Sequence, residues 1–152
     1  MDINYLLHHY AAMYENKEFL IEDPSWFMHQ VTGSSNQELF ALIASSLSYG
    51  SRKQFFPKIQ YILDCSKGDP YTWIMNGLYR HDIPDDESCY YRLFTNHTMF
   101  TFLKSIEDLL NEYGTLEHFV ADNAMDGYSA IKAITTYFSQ KGIETIIPKN
   151  AS

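Results

Sequence analysis

The chain has 152 residues, 45% of them hydrophobic and 20% charged, the make-up of one globular domain, which excludes a disordered or low-complexity chain. Its 11 basic and 19 acidic side chains give a net charge of −8, so phosphate backbones are repelled on average and any nucleic-acid contact has to come from a local basic patch. Two cysteines, Cys65 and Cys89, stand 24 positions apart without a CxxC pair, which excludes a zinc framework and a disulfide scaffold and fits reduced thiols in the cytoplasm.

In chain order, Ile3, Leu6, Leu7, Tyr10 and Tyr14 recur at helical spacing behind a capping Asp2, and this first amphipathic helix ends near Asn16. The opening MDINYLLHHYAAMYENKE is broken by His and Asn, unlike a secretory signal, and no apolar run reaches the length of a membrane span. Phe19-Leu20-Ile21 reads as an apolar connector. Asp23-Pro24 places a capping carboxylate before a proline at the first position of a short helix, SWFMHQV, which Thr32-Gly33-Ser34 stops.

Residues 36–64 form the segment around which the rest is organised. Ser35 with Glu38 three residues on matches a capping box. Residues 39–47 are almost all apolar or small, the mark of a helix surrounded by others, with Ala41, Ala44, Ser45 and Ser46 allowing close approach. Gly50 ends this helix and Ser51 caps the next, which carries Phe55, Phe56, Ile59, Ile62 and Leu63. Pro57 removes a backbone donor, so the spacing predicts a kink or a separated first turn. No acidic residue lies between Glu38 and Asp64, whereas Arg52, Lys53 and Lys58 do.

Lys67-Gly68 ends the second helix, and Asp69-Pro70 begins a short one with Tyr71, Trp73, Ile74 and Met75 that stops at Gly77. Residues 81–87 read as an exposed acidic loop. Residues 89–94 are aromatic and fit either one helical turn or an extended piece. From Asn96 or Thr98 runs the clearest amphipathic helix, with Met99, Phe100, Leu103, Ile106, Leu110 and Tyr113 on one stripe and Gly114 as its stop. Thr115 opens a short helix over 116–120. The last helix carries Tyr128, Ile131, Ile134 and Phe138 and stops at Gly142. No strand alternation persists, so the expected class is all-α: one compact domain over residues 1–152, of about six to eight helices, with the 39–47 helix buried at its centre.

Several pieces in this order resemble the N-terminal part of a bacterial protein family of unknown function. They are Phe19…Glu22-Asp23-Pro24, Glu38…Ala41…Ala44…Tyr49-Gly50-Ser51-Arg52-Lys53, and Asp69-Pro70-Tyr71 with Asn76. They continue with Tyr91-Arg92-Leu93-Phe94 and Glu112-Tyr113-Gly114-Thr115-Leu116-Glu117…Phe119. That family in turn distantly resembles the helix-hairpin-helix DNA glycosylases. The resemblance implies a DNA-repair-like architecture whose hairpin and catalytic aspartate would lie beyond residue 152. Lys141-Gly142-Ile143-Glu144 is similar to a hairpin turn but lacks its second glycine. The implication is a non-catalytic, N-terminal half that a C-terminal half or another protein would complete.

The residues themselves supply little chemistry. His8, His9, His29, His81, His97 and His118 form no ligand spacing, and neither a metal nor a cofactor is expected. Asp82, Asp85, Asp86 and Glu87 lack the order of a calcium loop and read as a solvated loop. Glu107, Asp108 and Glu112 read as a solvated helix face, and Cys65 and Cys89 as packing residues. The exception is the turn Tyr49, Gly50, Ser51, Arg52 and Lys53, where a glycine allows close backbone approach and two cations follow. It is the candidate nucleic-acid site. The plainer alternative is an ordinary helix start with two solvated cations. Two functions follow as expectations: a weak contribution to DNA binding, or a helical protein-interaction or scaffold domain with an exposed apolar patch.

Overall fold

Short polar side chains placed one residue ahead of apolar runs start most of the helices. In the computed structural model, which describes residues 2–15, 20–21 and 23–143, Asp2 accepts from the Asn4 amide at 3.0 Å and opens α1 (Ile3–Tyr14). Asp23 does the same for Ser25 at 2.9 Å and opens a 3-10 helix (Pro24–Gln30). Then come α2 (Ser34–Leu47), α3 (Arg52–Ser66), α4 (Pro70–Met75) and the single turn α5 (Tyr79–Asp82). Strands β1 (Cys89–Tyr91) and β2 (Phe94–Thr95) pair antiparallel. Three helices close the described chain: α6 (Asn96–Tyr113), α7 (Leu116–Asn123) and α8 (Gly127–Gln140). The expected end of the first helix at Asn16, Phe19 and Glu22 of the resemblance, and the tail 144–152 lie outside the described residues.

Helix predominates, and one core holds the domain together. Leu39, Phe40, Ile43, Ala44 and Leu47 of α2 are buried against Phe27 and Val31, the α3 residues Phe55, Ile59 and Ile62, and the α6 residues Met99, Leu103, Ile106 and Leu110. Many of the aromatic rings pack tilted or edge to face in this interior: Phe27 lies 5.1 Å from Phe56, and Tyr79 lies 5.6 Å from Phe100. The expected central helix is thus the one observed. Its small residues do not all serve close approach, however, since Ser45 and Ser46 face solvent and bond back to the Leu42 carbonyl.

The expected capping box at Ser35 and Glu38 does not form. Gly33 stands at the N-cap of α2 without a side-chain bond. The Glu38 carboxylate instead reaches across the core to the Leu116 and Glu117 amides, at 3.0 Å each, and caps α7. Asn36, two residues earlier, accepts from the Tyr71 amide at 2.9 Å at the start of α4, and the Tyr71 hydroxyl donates to the Gly114 carbonyl at 3.2 Å. The first turn of α2 therefore fastens the starts of two other helices. Burial raises the Glu38 pKa above the ordinary carboxylate range, against the opposing pull of those two amides.

Other departures have simple causes. Helix α3 continues through Pro57 as one helix, so its first turn is not split off. His81 and Asp82, expected in the acidic loop, end a helical turn over Tyr79–Asp82, and Asp82 accepts from the Trp73 indole at 2.8 Å. Residues 89–95 form the hairpin. Helix α1 has no buried residue, so its apolar stripe is exposed among the described residues. In α8 Phe138 is buried and Ile134 and Tyr137 pack against the core, as expected of Ile134 and Phe138, whereas Tyr128 and Ile131 face out.

Candidate nucleic-acid interface

The turn between α2 and α3 is shaped by its backbone. Helix α2 ends at Leu47, the Tyr49 amide bonds back to the Leu47 carbonyl at 2.8 Å, and Gly50 adopts φ +97°. Ser51 takes the N-cap position of α3 but makes no side-chain cap bond. Arg52 and Lys53 occupy the first turn of α3 and are exposed. Arg52 also acts on Asp23, whose carboxyl lies below its usual range through hydrogen bonds from Ser25, with burial opposing and the Arg52 charge assisting.

What the linear sequence could not place is the hairpin. Its tip lies against this turn: the Tyr91 hydroxyl donates to the Tyr49 carbonyl, and the Arg92 guanidinium lies 5.3 Å from the centre of the Tyr49 ring. Arg92 also covers Gly50, where an added Cβ would sit 1.8 Å from its Nη1. The glycine is thus favoured by its φ, and a side chain there would displace the Arg92 guanidinium. The adjacent Tyr90 hydroxyl donates to the Lys58 carbonyl at 3.0 Å, and the Lys58 ammonium stands 5.0 Å from the Tyr90 ring centre. Burial pushes the Tyr90 phenol up, so it stays neutral and anchors the hairpin.

Of the five consecutive residues expected, Tyr49 and Gly50 are thus met by Arg92, and Lys58, further along α3, meets the neighbouring Tyr90 of the hairpin. Among the described residues no carboxylate lies within ion-pair distance of Lys53, Lys58 or Arg92. Arg92 was present in the sequence only as part of the resemblance; nothing in its spacing signals that it returns to a turn some forty residues earlier. The acidic residues are held elsewhere. Asp86 accepts from the Ser88 amide at 2.8 Å and the Asn96 side chain at 2.9 Å, and Asp85 pairs with His97, whose pKa that bond raises.

The remaining candidates are structural. Glu107, expected on a solvated face, leaves 14% of its side chain exposed and receives the Tyr79 hydroxyl at 2.8 Å and the Arg80 guanidinium. Asp108 pairs with Lys104 at 3.3 Å and Lys141 at 3.2 Å. Cys89, expected in packing, is exposed, and Cys65 is half-buried. Among the described residues no three His, Cys, Asp or Glu side chains gather as a metal site, and no helix is long and apolar enough to cross a membrane.

Comparison with protein families matches residues 23–152 to the family described as "Protein of unknown function (DUF2400)". The chain belongs to this family. The DUF2400 match takes in both the basic turn and the hairpin, and it begins after α1. No curated protein and no solved structure matches the chain.

Proposed function

We propose that this DUF2400 chain is a non-catalytic helical module that contributes weak, sequence-independent nucleic-acid binding through Tyr49, Gly50, Ser51, Arg52, Lys53 and Arg92. The observation that carries the reading is the convergence of Arg92 on the Tyr49–Gly50 turn, without a carboxylate to neutralise it among the described residues. In a chain of net charge −8, a group of cations around an exposed ring, with no carboxylate in ion-pair reach of Lys53 or Arg92 among the described residues, is the local patch that nucleic acid requires. The resemblance to the N-terminal half of a helix-hairpin-helix glycosylase-like protein points to the same class of ligand and to a DNA-repair setting. The cytoplasm suits the two unpaired cysteines.

The test is fluorescence anisotropy at low salt with labelled single-stranded and duplex DNA, comparing the natural chain with an Arg52→Glu, Lys53→Glu double variant. The natural chain should bind at least one form, with a salt slope of about −0.7 to −0.9 per phosphate contact, and the variant should not. Equal behaviour of the two proteins would reduce the turn to a solvated helix start.

A protein-interaction role is the second reading. Met125, Tyr128 and Ile131 stand 93%, 79% and 66% exposed around the start of α8, and α1 buries none of its residues. Light scattering of the natural chain and of a Tyr128→Asp, Ile131→Asp variant decides it for self-association: a dimer that the variant abolishes supports this reading, and a monomer in both removes it.

A further inference from the structure

Resting on the nucleic-acid reading, we infer that the ligand of this site is an unpaired strand, held by stacking of a base on the Tyr49 ring. Tyr49 is 62% exposed, yet it is not loosely held. Its amide and carbonyl are both committed, to the Leu47 carbonyl and to the buried Tyr91 hydroxyl. The Arg92 guanidinium covers part of the ring, and the rest faces solvent. An open aromatic face on a tethered backbone, beside cations, is an arrangement that binds single strands, because every base has a π-face and the backbone needs only loose neutralisation. Bases inside a duplex already stack on both sides and cannot reach such a ring without being unstacked.

The charges around the site point the same way. Arg92 sits at the tip of the hairpin, and the carboxylates Asp85, Asp86 and Glu87 lie at its base, where Asn96 and His97 bond the Ser88 and Asp86 carbonyls. Arms of three and two residues separate tip from base by about 7–10 Å. The attractive zone is therefore short. A duplex, with a charge about every 1.7 Å of axis, extends beyond it toward the acidic loop, whereas a single strand of half that density can turn away.

The experiment uses three fluorescein-labelled probes of equal length: oligothymidylate, the same strand annealed to its complement, and an abasic strand that keeps the phosphates but has no bases. The natural chain should bind oligothymidylate about tenfold more tightly than the duplex or the abasic strand. Tyr49→Ala should lose about that factor on oligothymidylate alone, and Tyr49→Phe should keep it. The Tyr49 side chain lies outside the core, and circular dichroism checks that both variants fold. A duplex bound as tightly as the single strand, or a Tyr49→Ala loss shared by all three probes, overturns this inference while leaving nucleic-acid binding intact. Failure of every probe to bind overturns both. Displacement of oligothymidylate by polyglutamate as effective as by unlabelled oligothymidylate would assign the site to acidic protein segments instead, and also overturns it.

Discussion

Two corners of this molecule are built from the same three residue types and end in opposite states. At one, Gly77 (φ +64°) faces Arg80, whose guanidinium lies 4.7 Å from the Tyr79 ring centre. At the other, Gly50 faces Arg92, which covers Tyr49. In both, a Cβ on the glycine would collide with the arginine, at 1.7 Å and 1.8 Å from Nη1. The first corner is closed: Tyr79 is buried, and Glu107 takes both its hydroxyl and the Arg80 charge. The second has no such carboxylate among the described residues, and its ring is open. The difference teaches that the glycine–arginine–tyrosine unit does not itself separate stability from binding. The carboxylate decides, by consuming the charge or leaving it unanswered.

The largest expected effect comes from opening the closed corner. Glu107→Ala leaves a buried tyrosine hydroxyl unpaired and an arginine unanswered, and should cost about 2–3 kcal/mol in urea unfolding. Arg92→Ala removes an exposed ring contact and should cost about 0.5–1 kcal/mol. Comparable losses would mean that the open corner is structural too. The glycines give a smaller contrast. An alanine at either site meets the left-handed penalty of about 1–2 kcal/mol, but Arg92 can swing aside and Arg80 is tied to Glu107. Gly77→Ala should therefore exceed Gly50→Ala by about 1 kcal/mol, on the scale of one lost hydrogen bond; the reverse order would show that Arg92 is the more firmly held.

The smallest effect tests whether the acidic loop is committed elsewhere. The bond from Asp85 raises the His97 pKa, with the Asp85 charge adding to it. A raised folded value means that this pair stabilises the fold below the unfolded histidine pKa and that its contribution disappears as pH rises through the folded value. Asp85→Asn should lower the His97 pKa in an NMR titration. An unmoved His97 would show that Asp85 is not committed to this ring.

What could be read from the sequence was what depends on neighbours in the chain. Asp2, Asp23, Asp69 and Thr115 were legible as caps because each bonds an amide two or three residues on. The buried α2 was legible because its apolar run leaves no wet face wide enough to misassign. Glu38 misled because its spacing from Ser35 suits a local box, while its actual partners lie 78 and 79 positions away. The hairpin was too short to show alternation, so its placement of Arg92 on Gly50 had no sequence signal. Tyr128 and Ile131 follow helical periodicity, but periodicity cannot tell whether a face has a neighbour. At the candidate site the five residues 49–53 were legible through glycine and charge, and the sixth was not.

The reach of Asn36 and Glu38 bears on how the chain assembles. The amides of Tyr71, Leu116 and Glu117 are satisfied by side chains 35, 78 and 79 positions distant, so α4 and α7 cannot complete their starts until the first turn of α2 is in place. Contacts of such separation carry a loop-closure cost before they repay it, which sets them late in folding and joins helices far apart in the chain into one cooperative opening unit. Native-state hydrogen exchange should then find these three amides opening together, at the free energy of the α2 core and not that of the short helices they begin.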